Sequence, residues 1–131
     1  MFKYGKSSEK RLSSCDERLQ RIMREVLKRS TQDVSILCGH RTEEEQNKAF
    51  NENKSKVTFP NSKHNSKPSS AVDIAPYPID WDDTERFKLL TKVVLSVAKE
   101  MGINIRWGGD WDMDGDTTDQ TFNDLPHFEL C

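Results

Sequence analysis

Cysteine is scarce: only Cys15, Cys38 and Cys131 occur, and no two of them have CxxC spacing. That excludes a disulfide framework and an all-cysteine zinc site, and it fits free thiols in a reducing compartment. Long apolar runs are missing too, with none approaching the roughly 18 residues of a membrane-spanning helix. The opening Met1-Phe2-Lys3-Tyr4-Gly5-Lys6 holds no apolar stretch, so no signal peptide is expected. Hydrophobic residues make up 34% against 32% charged, and the mean hydropathy is −0.83. A chain so polar needs packing residues to escape disorder, and 3 Trp, 6 Phe and periodic aliphatics supply them. Its 131 residues suit one domain, 1–131, able to bury about two-thirds of its unfolded surface.

The net charge of −2 conceals two unlike halves. Residues 1–68 carry 15 lysines and arginines against 9 acidic residues, while residues 69–131 carry 5 against 13. Arg18, Arg21, Arg24, Lys28 and Arg29 fall within one expected helix. A solvated helix face accounts for them; attraction to an anionic polymer, such as cell envelope, is the sharper alternative. Nucleic acid is not expected as a partner, because no aromatic or glycine-rich recognition pattern accompanies the charge.

Leu12, Cys15, Leu19, Ile22 and Val26 recur in steps of three and four, predicting one amphipathic helix over Ser8–Arg29. Val34–Cys38 reads as a strand closed by Gly39. Thr42-Glu43-Glu44-Glu45 is a capping box opening a helix to about Asn53, with only Ala49 and Phe50 to bury. Residues 51–71 form a long polar loop of the kind that is usually functional or disordered. Val72–Tyr77 is a further strand. Asp82-Asp83-Thr84-Glu85 starts a helix carrying Phe87, Leu90, Val93, Val94, Val97 and Met101, and Gly102 stops it. Ile103–Trp107 and His127–Leu130 alternate as strands. The expected class is α+β: a small, mostly antiparallel sheet with helices on one face.

Alternation then separates the faces. Val72 and Ile74 point one way and Asp73 the other; Phe128 and Leu130 oppose His127 in the same manner. With the apolar sets on the helices, Asp73 and His127 emerge together on the open face, and His64 arrives from the loop just upstream. Two imidazoles and a carboxylate with one vacant position are what a catalytic zinc requires.

The motifs around these residues narrow the reading. Ser62-Lys63-His64 followed by Ala71-Val72-Asp73 resembles the S-x-H…A-x-D signature of zinc peptidases in the group of D-Ala-D-Ala dipeptidases and carboxypeptidases. Gly108-Gly109-Asp110-Trp111 and Asp124-Leu125-Pro126-His127-Phe128 are similar to that family's closing segments, and Gly39-His40-Arg41-Thr42 with Gln46 to its G-x-R-T…Q segment. Phe2-Lys3-Tyr4-Gly5 with Ser8-Glu9 resembles the start of phage endolysins that are L-alanyl-D-glutamate peptidases. Hedgehog signalling domains resemble the same fold.

The resemblance implies Zn2+ held by His64, Asp73 and His127, with Asp124 as the acid/base carboxylate. It places Arg41 at the oxyanion and Gln46, less specifically, in the same pocket. Glu129, on the face of His127, is an alternative base or an orienting partner for that ring. His40 is expected to be structural or exposed rather than a ligand, and Trp107 and Trp111 core or cleft wall. The implied activity is hydrolysis of the L-Ala–D-Glu bond of peptidoglycan stem peptides in host cell lysis. The alternative is a D-Ala-D-Ala carboxypeptidase or dipeptidase with the same zinc site. A monomer is expected, residing in the host cytoplasm and reaching the cell wall after membrane permeabilisation.

Two departures from the family pattern stand out. The step of nine positions from His64 to Asp73 exceeds the usual step by two, and Lys67-Pro68-Ser69-Ser70 replaces the usual glycine. The link to the last strand is lengthened by an acidic stretch. There Asp110, Asp112, Asp114 and Asp116 alternate as D-x-D-x-D-G does in the opening half of an EF-hand loop, with Asp119 as a late ligand. Ca2+ is the expected occupant, although position twelve is Thr121 rather than glutamate.

Overall fold

The computed structural model describes residues 2–108 and 125–131. Helices α1 (Lys6–Ser13) and α2 (Glu17–Arg29) lead into strand β1 (Asp33–Cys38) and helix α3 (Glu43–Asn51). A single 3-10 turn (Lys63–Asn65) interrupts the long loop before β2 (Ala71–Tyr77). Helix α4 (Thr84–Met101), β3 (Ile105–Trp107) and β4 (His127–Leu130) complete the described elements. The four strands form one antiparallel sheet in the order β1-β2-β4-β3. This is the expected α+β class, with α1 packed on β1, α4 on β2 and β3, and α2 on α4.

The expected single helix over Ser8–Arg29 is two helices. At the break, Asp16 accepts a hydrogen bond from the Arg18 amide as the N-cap of α2. The Asp16 and Ser69 amides donate to the carbonyls of Ser69 and Ser14 at 2.8 and 2.9 Å, pinning the junction to the loop before β2. The apolar spacing runs through the break because both helices face one core: Leu12, Cys15, Leu19, Ile22 and Val26 are all buried. Val34, Ile36, Val72, Ile74, Phe128 and Leu130 meet them from the sheet, each contributing roughly 1.5–3 kcal/mol by burial.

Helix α3 has the expected capping box between Thr42 and Glu45. Its burial differs from expectation: Phe50 is 41% exposed, whereas Gln46 is 0% exposed. The last helix ends as expected at Gly102, which adopts φ +70°. The opposite face of β2 is not bare, since the 3-10 turn packs on it and Ala71 and Ala75 are fully buried.

Candidate functional site

Strand pairing sets the floor of the site. Asp73 in β2 lies directly opposite His127 in β4, so both side chains leave the same face of the sheet. His127 Nδ1 sits 3.0 Å from Asp73 Oδ1. Two residues further along β4, on the same face, Glu129 lies opposite Arg106 of β3 and accepts its guanidinium hydrogen bond at 2.7 Å. Glu129 also accepts from His127 Nε2 at 2.8 Å, which fixes the ring between two carboxylates.

His64 comes from the loop, and side-chain caps hold it there. Ser62 Oγ accepts from the His64 amide, while Asn65 Oδ1 accepts from the Ser62 amide, closing the 3-10 turn. His64 Nδ1 donates to the Gly39 carbonyl at 2.7 Å, so Nε2 is turned towards Asp73 Oδ1, 3.1 Å away. Gly39 is required here: a Cβ would stand 2.3 Å from both the Arg11 carbonyl and Ser14 Oγ. The two additional residues between His64 and Asp73 are absorbed locally. Ser66 Oγ donates to the Pro68 carbonyl, and the Ser70 amide donates to the Lys63 carbonyl.

His64 Nε2 and His127 Nδ1 thus converge on a single carboxylate oxygen, with their rings edge-on at a centroid distance of 5.1 Å. Burial disfavours a charged ring at both histidines, yet Asp73 overrides it, raising His64 to about 10 and His127 to about 9. Burial pushes Asp73 in the opposite sense, and the two imidazoles win, holding it well below the usual carboxylate range. Glu129 is lowered as well, its burial outweighed by hydrogen bonds from His127 and Arg106.

Arg41 borders the same cleft, which encloses about 300 Å³ and has Lys54, Lys56 and Lys63 along its edge. Arg41 NH1 donates to Gln46 Oε1 at 2.9 Å, and NH2 stands 3.8 Å from Asp73 Oδ2. Gln46 is buried behind Arg41 rather than lining the cleft. Its amide nitrogen donates to Ser55 Oγ and the Val57 carbonyl, tying α3 to the loop. His40 donates from Nδ1 to the Ser66 carbonyl, a structural contact. Trp107 is buried and donates to the Leu125 carbonyl. Asp124, Trp111 and the candidates Asp110, Asp112, Asp114, Asp116 and Asp119 lie outside the described residues, so the calcium reading rests on the sequence pattern alone. Among the described residues, Cys38, His64 and Asp73 form a group whose donor atoms could hold a metal ion.

The whole chain, residues 1–131, matches the family model described as phage L-alanyl-D-glutamate peptidase. The chain belongs to that family. Among its relatives, the L-alanyl-D-glutamate peptidase of Escherichia phage T5 is 37% identical over 123 residues, covering 91% of this chain and 88% of that protein. The crystal structure of the L-Ala D-Glu endopeptidase ChiX from Serratia marcescens superimposes with a TM-score of 0.77 at 26% identity. That match covers 98% of this chain and 90% of the other. This membership makes the chain a peptidase, and no helix of the described residues is long and apolar enough to cross a membrane.

Sequence reading missed one residue that lines the cleft, Arg106, and two that stand beside its residues, Asn65 and Cys38. Arg106 becomes visible only once β3 is paired with β4. Asn65 donates to the Arg41 carbonyl and to Gln46 Oε1, contacts that no local motif announces. Cys38 read as an ordinary strand residue because alternation with Val34 and Ile36 assigns it to the core.

Proposed function

We propose that this protein hydrolyses the L-Ala–D-Glu bond of peptidoglycan stem peptides as a zinc endopeptidase of host cell lysis. One observation carries the metal assignment: two imidazole nitrogens and a carboxylate oxygen converge, while each ring's outer nitrogen already has a fixed acceptor, Gly39 O or Glu129. That is the donor set and outer-sphere support of a histidine-rich zinc site. His64 Nε2, Asp73 and His127 Nδ1 are the ligands, and Glu129 orients His127. A zinc ion held there supplies Lewis-acid polarisation of the scissile carbonyl and an acidic water at neutral pH.

The remaining roles belong to the chain's own side chains. Asp124, three residues before His127, accepts a proton from the attacking water and returns it to the leaving amine nitrogen of D-Glu. Arg41, braced by Gln46, donates to the developing oxyanion, a contact of a type worth roughly 3–4 kcal/mol. The edge lysines 54, 56 and 63 complement the carboxylates of the stem peptide. Both named relatives act between L-Ala and D-Glu, which favours this bond over terminal D-Ala-D-Ala.

Paired substitutions test the division of roles. Asp124→Asn keeps bound zinc and fold but loses most turnover. Glu129→Gln costs about tenfold or more in metal affinity, with a smaller loss of turnover at saturating zinc. A severe turnover loss in zinc-saturated Glu129→Gln beside a mild one in Asp124→Asn would exchange the two roles.

A further inference from the structure

Cys38 stands beside these ligands, and nothing in the proposed chemistry uses it. The register between β1 and β2 explains its position. Ile36 pairs with Ile74 on the core face, but the next pair is Cys38 with Asp73, because the ladder shifts between Ile36 and Cys38. A bulge of this kind re-aims a side chain next to an active site. Regular pairing would set Leu37 against Asp73; the shift sets Cys38 there instead, completing a cross-strand row of Cys38, Asp73 and His127.

The donor atoms of Cys38, His64 and Asp73 all lie within 4.8 Å of one another. Arg41 NH2 reaches towards Cys38 Sγ at 3.7 Å, so the sulfur faces both a guanidinium and a carboxylate. The other two cysteines are differently placed: Cys15 is buried at the junction of α1 and α2, and burial pushes its thiol up to about 12. Cys131 is exposed at the last residue.

We propose that Cys38 is a fourth protein ligand of the metal, closing the coordination sphere in the resting enzyme. The thiol gives up its proton to solvent as the sulfur–metal bond forms, and the bond must break before substrate can take the position. A set of four protein ligands is the arrangement of a closed site, and three with one vacancy that of a catalytic site. Release of Cys38 therefore converts one into the other. The inference rests on the zinc reading above.

Cobalt(II) loaded into the whole protein tests it, since a thiolate ligand adds an ultraviolet charge-transfer band to the visible bands of bound cobalt. The parent and Cys131→Ser are expected to show that band. Cys38→Ser is expected to lose it, to keep the visible bands, and to give up its metal more readily in competition with a chelator. Visible bands without the charge-transfer band in the parent overturn the assignment of Cys38 and leave the three-ligand site standing, even where Cys38→Ser fails to fold. A charge-transfer band that persists in Cys38→Ser overturns it as well. Absence of all cobalt bands from the parent overturns the metal site itself.

Discussion

The two halves of the cleft are held by different physics. Asp73, His127, Glu129 and Arg106 stand on paired strands, where the backbone ladder fixes which side chains face one another. His64 and Arg41 stand on loops, held by side-chain caps and single hydrogen bonds: Ser62 and Gly39 for His64, Gln46 and Asn65 for Arg41. The Arg41 amide donates to the His64 carbonyl at 2.7 Å, joining the two loop-borne residues. A ladder spreads the loss of one contact over its neighbours, whereas a loop braced by a few bonds loses its geometry when one is removed.

The largest effect is expected when a ligand is removed from either half. Asp73→Ala, His127→Ala and His64→Ala should each abolish peptidase activity and reduce zinc, measured by elemental analysis, from one ion per chain towards none. His64→Ala retaining full zinc and full activity would break the comparison, because the loop would then contribute nothing to the centre.

Gly39→Ala sharpens it. The added methyl meets the Arg11 carbonyl and Ser14 Oγ at 2.3 Å, so the end of β1 must move together with the carbonyl that orients His64. A destabilisation of about 1–3 kcal/mol is expected in denaturant unfolding, with weakened zinc retention. An alanine variant with parental stability and zinc content would show that His64 does not depend on the Gly39 carbonyl.

The strand half was largely legible from residues alone. Alternation placed Asp73 and His127 on one face, because period two leaves no freedom once Val72, Ile74, Phe128 and Leu130 are assigned to the core. In the loop half, position in the chain offered His64 as a candidate and the family resemblance supplied Arg41, while caps such as Ser62 on the His64 amide act through local geometry that spacing does not encode. Cys38 escaped for a related reason: one extra residue in a ladder reverses a face, and a bulge carries no compositional mark here. The burial of Gln46 was not foreseen, because a polar residue in a mostly polar helix reads as exposed, although its amide can satisfy four partners when buried. The break after α1 was hidden because Asp16, an N-cap, lies between residues that keep the apolar period.

A smaller effect is expected outside the cleft lining, at that N-cap. Asp16→Ala should cost about 1 kcal/mol in thermal or denaturant unfolding while leaving zinc content and turnover unchanged. Hydrogen bonds from the Arg18 side chain and amide hold the Asp16 carboxyl below its ordinary value. Its contribution is therefore present above the unfolded value near pH 4 and is lost as pH falls through the lower folded value. The stability difference between parent and Asp16→Ala should shrink accordingly under acid. A difference constant from neutral pH to below pH 3 would remove the carboxylate from the capping account.

Mass spectrometry of muropeptides released from purified peptidoglycan tests the central claim most directly, using zinc-loaded protein, protein stripped by chelator, and stripped protein with zinc restored. Cleavage between L-Ala and D-Glu by the first and third preparations, and none by the second, is the expected result. Loss of terminal D-Ala instead, or cleavage indifferent to the chelator, would contradict a zinc endopeptidase built on His64, Asp73 and His127.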